Sequence, residues 1–106
     1  MTDAELGFKP GDIQSICDVF HRFDNIEKVV LFGSRAKGNF KKGSDIDIAI
    51  KGKNITPSLA LNIAAVLNEK KPIPYFIDVI SYAYIGNQNL KEHIDRVVIV
   101  LYSKNG

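Results

Sequence analysis

Apolar residues recur along this chain in two rhythms, one helical and one extended. Between Pro10 and Phe23, Ile13, Ile16, Cys17, Phe20 and Phe23 are spaced by threes and fours, the period of an amphipathic helix that Pro10-Gly11 opens. Asp24-Asn25 interrupt that pattern. Val29-Val30-Leu31-Phe32 then form a short β-branched and aromatic run ending in Gly33, which predicts a buried strand. Ser34 to Gly43 is polar and basic with glycine punctuation, so a short helical turn and then a loop are expected. From Asp45 the period falls to two. Ile46, Ile48 and Ile50 alternate with Asp45, Asp47 and Ala49, so the two carboxylates should project from one face of a strand while the isoleucines fill the other.

Lys51 to Asn54 reads as a turn. Thr56 is placed to cap a helix whose first residue is Pro57 and whose buried stripe is Leu59, Ile63, Val66 and Leu67, ending by Pro72. Pro74 to Tyr82 contains another strand, Tyr75 to Ile80, with Asp78 inside it. Asn87 to Arg96 predicts a helix with Leu90, Ile94 and Val97 on one side, and Val98 to Tyr102 a closing strand. The order α-β-turn-β-α-β-α-β implies an α/β (α+β) fold: a small mixed sheet with helices packed mainly on one face.

The chain has 106 residues, enough for one compact domain spanning 1–106 and too few for two. Its 14 basic and 12 acidic residues give a net charge of +2, too balanced for a surface that coats nucleic acid broadly. The apolar runs are far shorter than the roughly 20 residues of a membrane-spanning helix. Asp3 and Glu5 precede any apolar stretch, unlike a secretory signal, so a cytoplasmic protein is expected. The single cysteine, Cys17, cannot pair within the chain and reads as a small buried hydrophobe.

An Asp-x-Asp pair alone is a weak signal, because carboxylates commonly solvate a strand face. Here the pair follows a strand, a Gly-Ser turn and a basic loop, and Asp78 lies between Ile77 and Val79 in an apolar strand. A carboxylate desolvated there would need compensation, and a divalent cation shared with Asp45 and Asp47 would supply it. Magnesium suits such hard oxygen ligands and commonly binds through carboxylates together with substrate phosphates. Gly33-Ser34, a strand end opening into a helical turn, would let backbone N–H groups approach a phosphate, with the Ser34 hydroxyl as a further donor. Arg35, Lys37, Lys41 and Lys42 would offset its charge, although a solvated basic loop is the default for Lys41 and Lys42. Neither the Walker phosphate loop nor the Gly-x-Gly-x-x-Gly dinucleotide fingerprint is present.

The stretch Val29-Val-Leu-Phe-Gly-Ser-Arg-Ala-Lys-Gly-Asn-Phe-Lys-Lys-Gly-Ser-Asp-Ile-Asp-Ile-Ala-Ile50 resembles the signature of the polymerase-beta-like nucleotidyltransferase superfamily, in its minimal nucleotidyltransferase (MNT) branch. The resemblance covers nearly the whole chain. It implies that Asp45 and Asp47 bind two magnesium ions, that Asp78 helps hold one and activates the acceptor hydroxyl, and that Gly33 and Ser34 grip the triphosphate, with Ser44 matching the family's usual Ser-Asp; Arg35 is expected beside the nucleotide from its charge in the same loop. It further implies ATP as substrate and a HEPN-domain helical toxin as partner, neutralised by transfer of AMP to a tyrosine. Two rival readings are a contact-only antitoxin and a transferase for a small molecule such as an aminoglycoside, completed by a second subunit. A template-directed polymerase ranks last, and self-association remains open. His21 and His93 are expected to be solvated surface groups, and Phe8, Phe40, Tyr82 and Tyr84 to have packing roles.

Overall fold

In the computed structural model, residues 6–38, 45–70, 75–97 and 99–104 are described. The elements run α1 (Asp12–Phe20), β1 (Ile26–Phe32), α2 (Gly33–Lys37), β2 (Ile46–Gly52), α3 (Pro57–Lys70), β3 (Ile77–Ser81), a single 3-10 turn at Tyr82–Tyr84, α4 (Gln88–Val97) and β4 (Ile99–Ser103). Among the described residues the strands form one mixed sheet in the order β3-β2-β1-β4. β1 is antiparallel to both β2 and β4, whereas β3 runs parallel to β2, the two being joined through α3.

Alternation along each strand divides the side chains between two faces. Val29 and Leu31 of β1, Ile46, Ile48 and Ile50 of β2, and Ile77 and Val79 of β3 join one core with Ile16, Cys17 and Phe20 of α1 and Ala60, Ile63 and Leu67 of α3. Each fully buried isoleucine or leucine contributes roughly 1.5–3 kcal/mol by leaving water. Val30, Phe32 and Ala49 point the other way and meet Ile94 of α4, with Ile80, Tyr82, Ile85 and Leu90 around them. The expected mixed sheet is therefore present, with α1 and α3 on the principal face and α4 on the opposite one.

Local details follow the sequence rules closely. The Thr56 hydroxyl accepts the Leu59 N–H at 3.2 Å, capping α3 with Pro57 at its first position. Asn87 caps α4 in the same way, accepting the Leu90 N–H at 3.1 Å. β1 begins at Ile26, three residues before the predicted start, because an irregularity between Ile26 and Lys28 turns Glu27 and Lys28 both to solvent and hides the alternation. Cys17 is buried as expected; its Sγ lies 3.0 Å from the Leu101 carbonyl, and burial pushes the thiol up to about 11.

β3 is an edge strand, and Asn68 of α3 fixes one end of it. The Asn68 amide donates to the Ile77 carbonyl at 2.8 Å and accepts the Ile77 N–H at 2.8 Å, standing in for a neighbouring strand at that residue. Asn68→Leu should cost about 1–3 kcal/mol, because it leaves two partly buried backbone groups without partners. Chemical denaturation would register this as a lower midpoint with an unchanged slope, and an unaltered midpoint would rule out the clamp.

Candidate active site

The face shared with α4 carries the chemistry. Residue 47 of β2 pairs with residue 78 of the parallel β3 and with Phe32 of the antiparallel β1, so Asp47 and Asp78 stand side by side on neighbouring strands. Asp45, two residues before Asp47, lies on the same side by the period of the strand. Asp47 is half-buried; Asp45 and Asp78 are exposed. Burial first, then Asp78, then Asp45, push the Asp47 carboxyl above its ordinary value.

This relocates the electrostatic strain expected from the sequence. Asp78 was expected to be desolvated between Ile77 and Val79, but those two side chains face the opposite core and leave Asp78 in solvent. The burden falls instead on Asp47, enclosed between Phe32 and Asp78 at the middle of the sheet.

Gly33 closes the other side of Asp47. Its backbone has φ +79°, a left-handed conformation natural only to glycine. A Cβ there would collide with Asp47 Oδ2 and lie 3.2 Å from Cγ and 3.3 Å from Cβ. Glycine thus serves twice, turning the chain sharply out of β1 into α2 and leaving room for the carboxylate. The Ser34 main chain follows in the first turn of α2.

The basic residues do not behave uniformly. Arg35, expected beside the triphosphate, is 2% exposed and turns away from the aspartates. It donates from Nη1 to the Leu6 and Gly7 carbonyls, both at 3.1 Å, and its guanidinium lies over the rings of Phe8 at 5.2 Å and Tyr75 at 4.4 Å. Arg35 is a structural tie between the segment before α1 and the approach to β3, because the turn of α2 aims it into the principal core. Lys37 is exposed at the end of α2. Ser44, Lys41, Lys42 and Phe40 lie outside the described residues.

His93 belongs to the site, contrary to its expected role as a solvated group. The Gly33 N–H donates to its Nε2 at 3.4 Å, a long bond, and its ring stands edge-on to Phe32 with centroids 6.4 Å apart. Burial, then Lys37, then Arg96, lower its pKa, favouring the neutral ring that can accept a hydrogen bond from a backbone N–H. A signal existed in the sequence: His93 is three residues after Leu90 and one before Ile94, on the border of the stripe that buries α4. The link to Gly33, 60 residues earlier, is purely tertiary.

Whether this site fits a metal can be judged from its own chemistry. Among the described residues no three His, Cys, Asp or Glu side chains form a ready-made metal cage. Magnesium does not require one, since it commonly takes one or two carboxylates and completes its shell with water and phosphate. The crowding that raises the Asp47 carboxyl is the repulsion a divalent cation would relieve, so the acidic face fits such an ion. Among the described residues no helix is long and apolar enough to cross a membrane.

Comparisons with known proteins agree with this geometry. A family model described as polymerase beta, nucleotidyltransferase, matches residues 14–106. A Haemophilus influenzae protein named probable protein adenylyltransferase MntA is 27% identical over 101 residues, covering 95% of this chain and 88% of that one. Two solved structures share the fold. A toxin-antitoxin crystal structure with AMP-PNP aligns with TM-score 0.63 and 21% identity over 87% of this chain and 73% of its own. A toxin-antitoxin MntA-HpeT structure, in which two aspartates two positions apart are changed to glutamate, aligns with TM-score 0.59 and 18% identity over 86% and 72%. The resemblance drawn from the Gly-Ser turn and the aspartates therefore holds across the sheet and its helices, and the chain belongs to the polymerase beta nucleotidyltransferase family.

Proposed function

We propose that this protein transfers AMP from ATP, with magnesium, to a tyrosine of a helical HEPN-type toxin and thereby acts as its antitoxin. The observation that carries the reading is the acidic face at which Asp47 is held against Gly33 and beside Asp78. The naming of the Haemophilus influenzae relative as a probable protein adenylyltransferase supports the acceptor class. The toxin-antitoxin neighbours, one of them with AMP-PNP, support the partner and the nucleotide. The paired glutamate substitutions in the second neighbour have the spacing of Asp45 and Asp47.

In this reading the backbone N–H groups at Gly33-Ser34 and the Ser34 hydroxyl hold the triphosphate, Ser44, next to the acidic pair in sequence, adds a hydroxyl contact to the nucleotide, and Asp45, Asp47 and Asp78 would hold magnesium. The bound ions would neutralise charge on the phosphates and the leaving group. The tyrosine oxygen forms a bond to the α-phosphorus, the bond to the bridging oxygen breaks and pyrophosphate leaves; Asp78, exposed at the edge of the acidic face, takes the phenolic proton. The neutral His93 keeps the Gly33 N–H aligned before the nucleotide arrives. The likeness to a protein adenylyltransferase over 88% of its length favours a protein acceptor over a small molecule.

Asp45→Asn combined with Asp47→Asn should lower AMP transfer about a thousandfold or more, the equivalent of roughly 4 kcal/mol of charge stabilisation. Intact-mass analysis of the helical partner after incubation with ATP and magnesium would show this. Asp78→Asn should lose transfer yet keep nucleotide binding and the fold, since its side chain is exposed. Full transfer by either variant would refute the assignment, and tight association without any mass increase would mark a contact-only antitoxin.

A separate outcome concerns stability. Because the Asp47 carboxyl is raised, its ionised form is disfavoured in the folded state, a cost fully present at neutral pH and relieved as pH falls through the raised value. Asp47→Asn should therefore raise Tm by a few degrees at pH 7, with the gain fading towards the ordinary carboxyl value of 3.8. Thermal melts across that range test it; a variant less stable at pH 7 would show that the carboxylate is favourably compensated.

A further inference from the structure

Beyond Asp78 the acidic face opens into a groove of about 490 Å³, between the start of α3, the outer edge of β3 and the turn leading to α4. Its volume is that of a small-ligand site, within the usual range of roughly 300–1,000 Å³. Its walls are largely apolar, and two large side chains on them, Leu61 and Tyr84, are 71% and 59% exposed. Tyr82 steadies the turn, donating from its hydroxyl to Asp95 at 2.5 Å, while Lys51 Nζ lies 4.4 Å from its ring centre. Tyr84 is left facing the groove.

Two polar features mark the groove. Ser81, 5% exposed, lines it, and its Oγ is buried with no hydrogen-bond partner among the described residues. The second is the backbone of Val79. The Phe76 carbonyl accepts the Ile46 N–H at 2.8 Å and so points inward to β2, whereas both Ile77 backbone groups point outward to Asn68. By the alternation of a strand, the Val79 N–H and carbonyl also point outward, beyond the reach of the Asn68 clamp and into the groove.

The sheet order indicates which ligand belongs there. Gly33 ends β1, Asp47 lies on β2, Asp78 on β3, and the groove beyond β3. In-line displacement places the attacking oxygen opposite the leaving pyrophosphate. With the triphosphate held on the β1 side, the acceptor must approach over β3. We infer that an extended segment of the acceptor protein adds to the outer edge of β3 as a further strand. It pairs with Val79, bonds Ser81, packs its side chains on Leu61 and Tyr84, and brings a tyrosine hydroxyl to Asp78. This inference rests on the nucleotidyl-transfer reading for its direction, but the seating of the segment can be measured without any transfer.

The probe is a blocked peptide of alternating threonine and valine with one central tyrosine, titrated into the protein while amide exchange is followed by NMR. Exchange at Val79 should slow about tenfold or more at saturation. N-methylating alternate peptide residues should abolish that protection. Leu61→Ser with Tyr84→Ala, both exposed positions, should weaken peptide binding about tenfold while leaving ATP affinity unchanged. Unaltered Val79 exchange, or equal peptide affinity in the double variant, would overturn the inference. So would adenosine shifting the Leu61 and Tyr84 signals while the peptide does not, which would assign the groove to the nucleobase. Val79 protection without AMP transfer in the presence of ATP and magnesium would uphold the groove and refute the transferase reading; transfer to the peptide without Val79 protection would do the reverse.

Discussion

Two carboxylates fixed side by side on adjacent strands repel each other, and the fold must hold them there by other means. The parallel pairing of β2 with β3 does so, setting residue 47 against residue 78 while Ile46 and Ile48 lock to Ile77 and Val79 on the opposite face. A slip of one residue would send the aspartates into the principal core and the isoleucines into solvent, so the apolar face dictates the register of the acidic one. Site geometry and core packing are the two sides of one alternation.

The sheet periphery serves the same end. Glycine at position 33 admits Asp47 against the β1 turn, Asn68 secures the start of β3, and Tyr82 ties the following turn to α4. Arg35 shows how nearness in sequence can mislead. It follows the Gly-Ser turn directly, yet one helical residue of rotation carries it away from the acidic face into the core, among Phe8, Tyr75 and the carbonyls of residues 6 and 7.

The strands, the helices with the Thr56 cap of α3, and the alternation that segregates Asp45 and Asp47 from the isoleucines were legible because they depend on short-range periods. The pairing of Asp47 with Asp78 was legible only as a pattern of residue types, since register across a helical crossover is decided by packing. What local reading misplaced is what depends on which face a residue takes. Asp78 has apolar neighbours in sequence but solvent in space, and His93 has charged neighbours in sequence but Gly33 and Phe32 in space. The early start of β1 was hidden for a related reason, because two successive charged residues at an irregular pairing look like a loop.

The Asn68 clamp also bears on which part of the outer edge of the sheet can meet another strand. A bare outer strand is a template on which identical molecules can zip together indefinitely, and five residues of β3 would be enough to begin. By satisfying both backbone groups of Ile77 from within, the asparagine closes the first part of that edge and leaves the stretch from Val79 onward to face outward. One side chain thus sets where along β3 a further strand can begin.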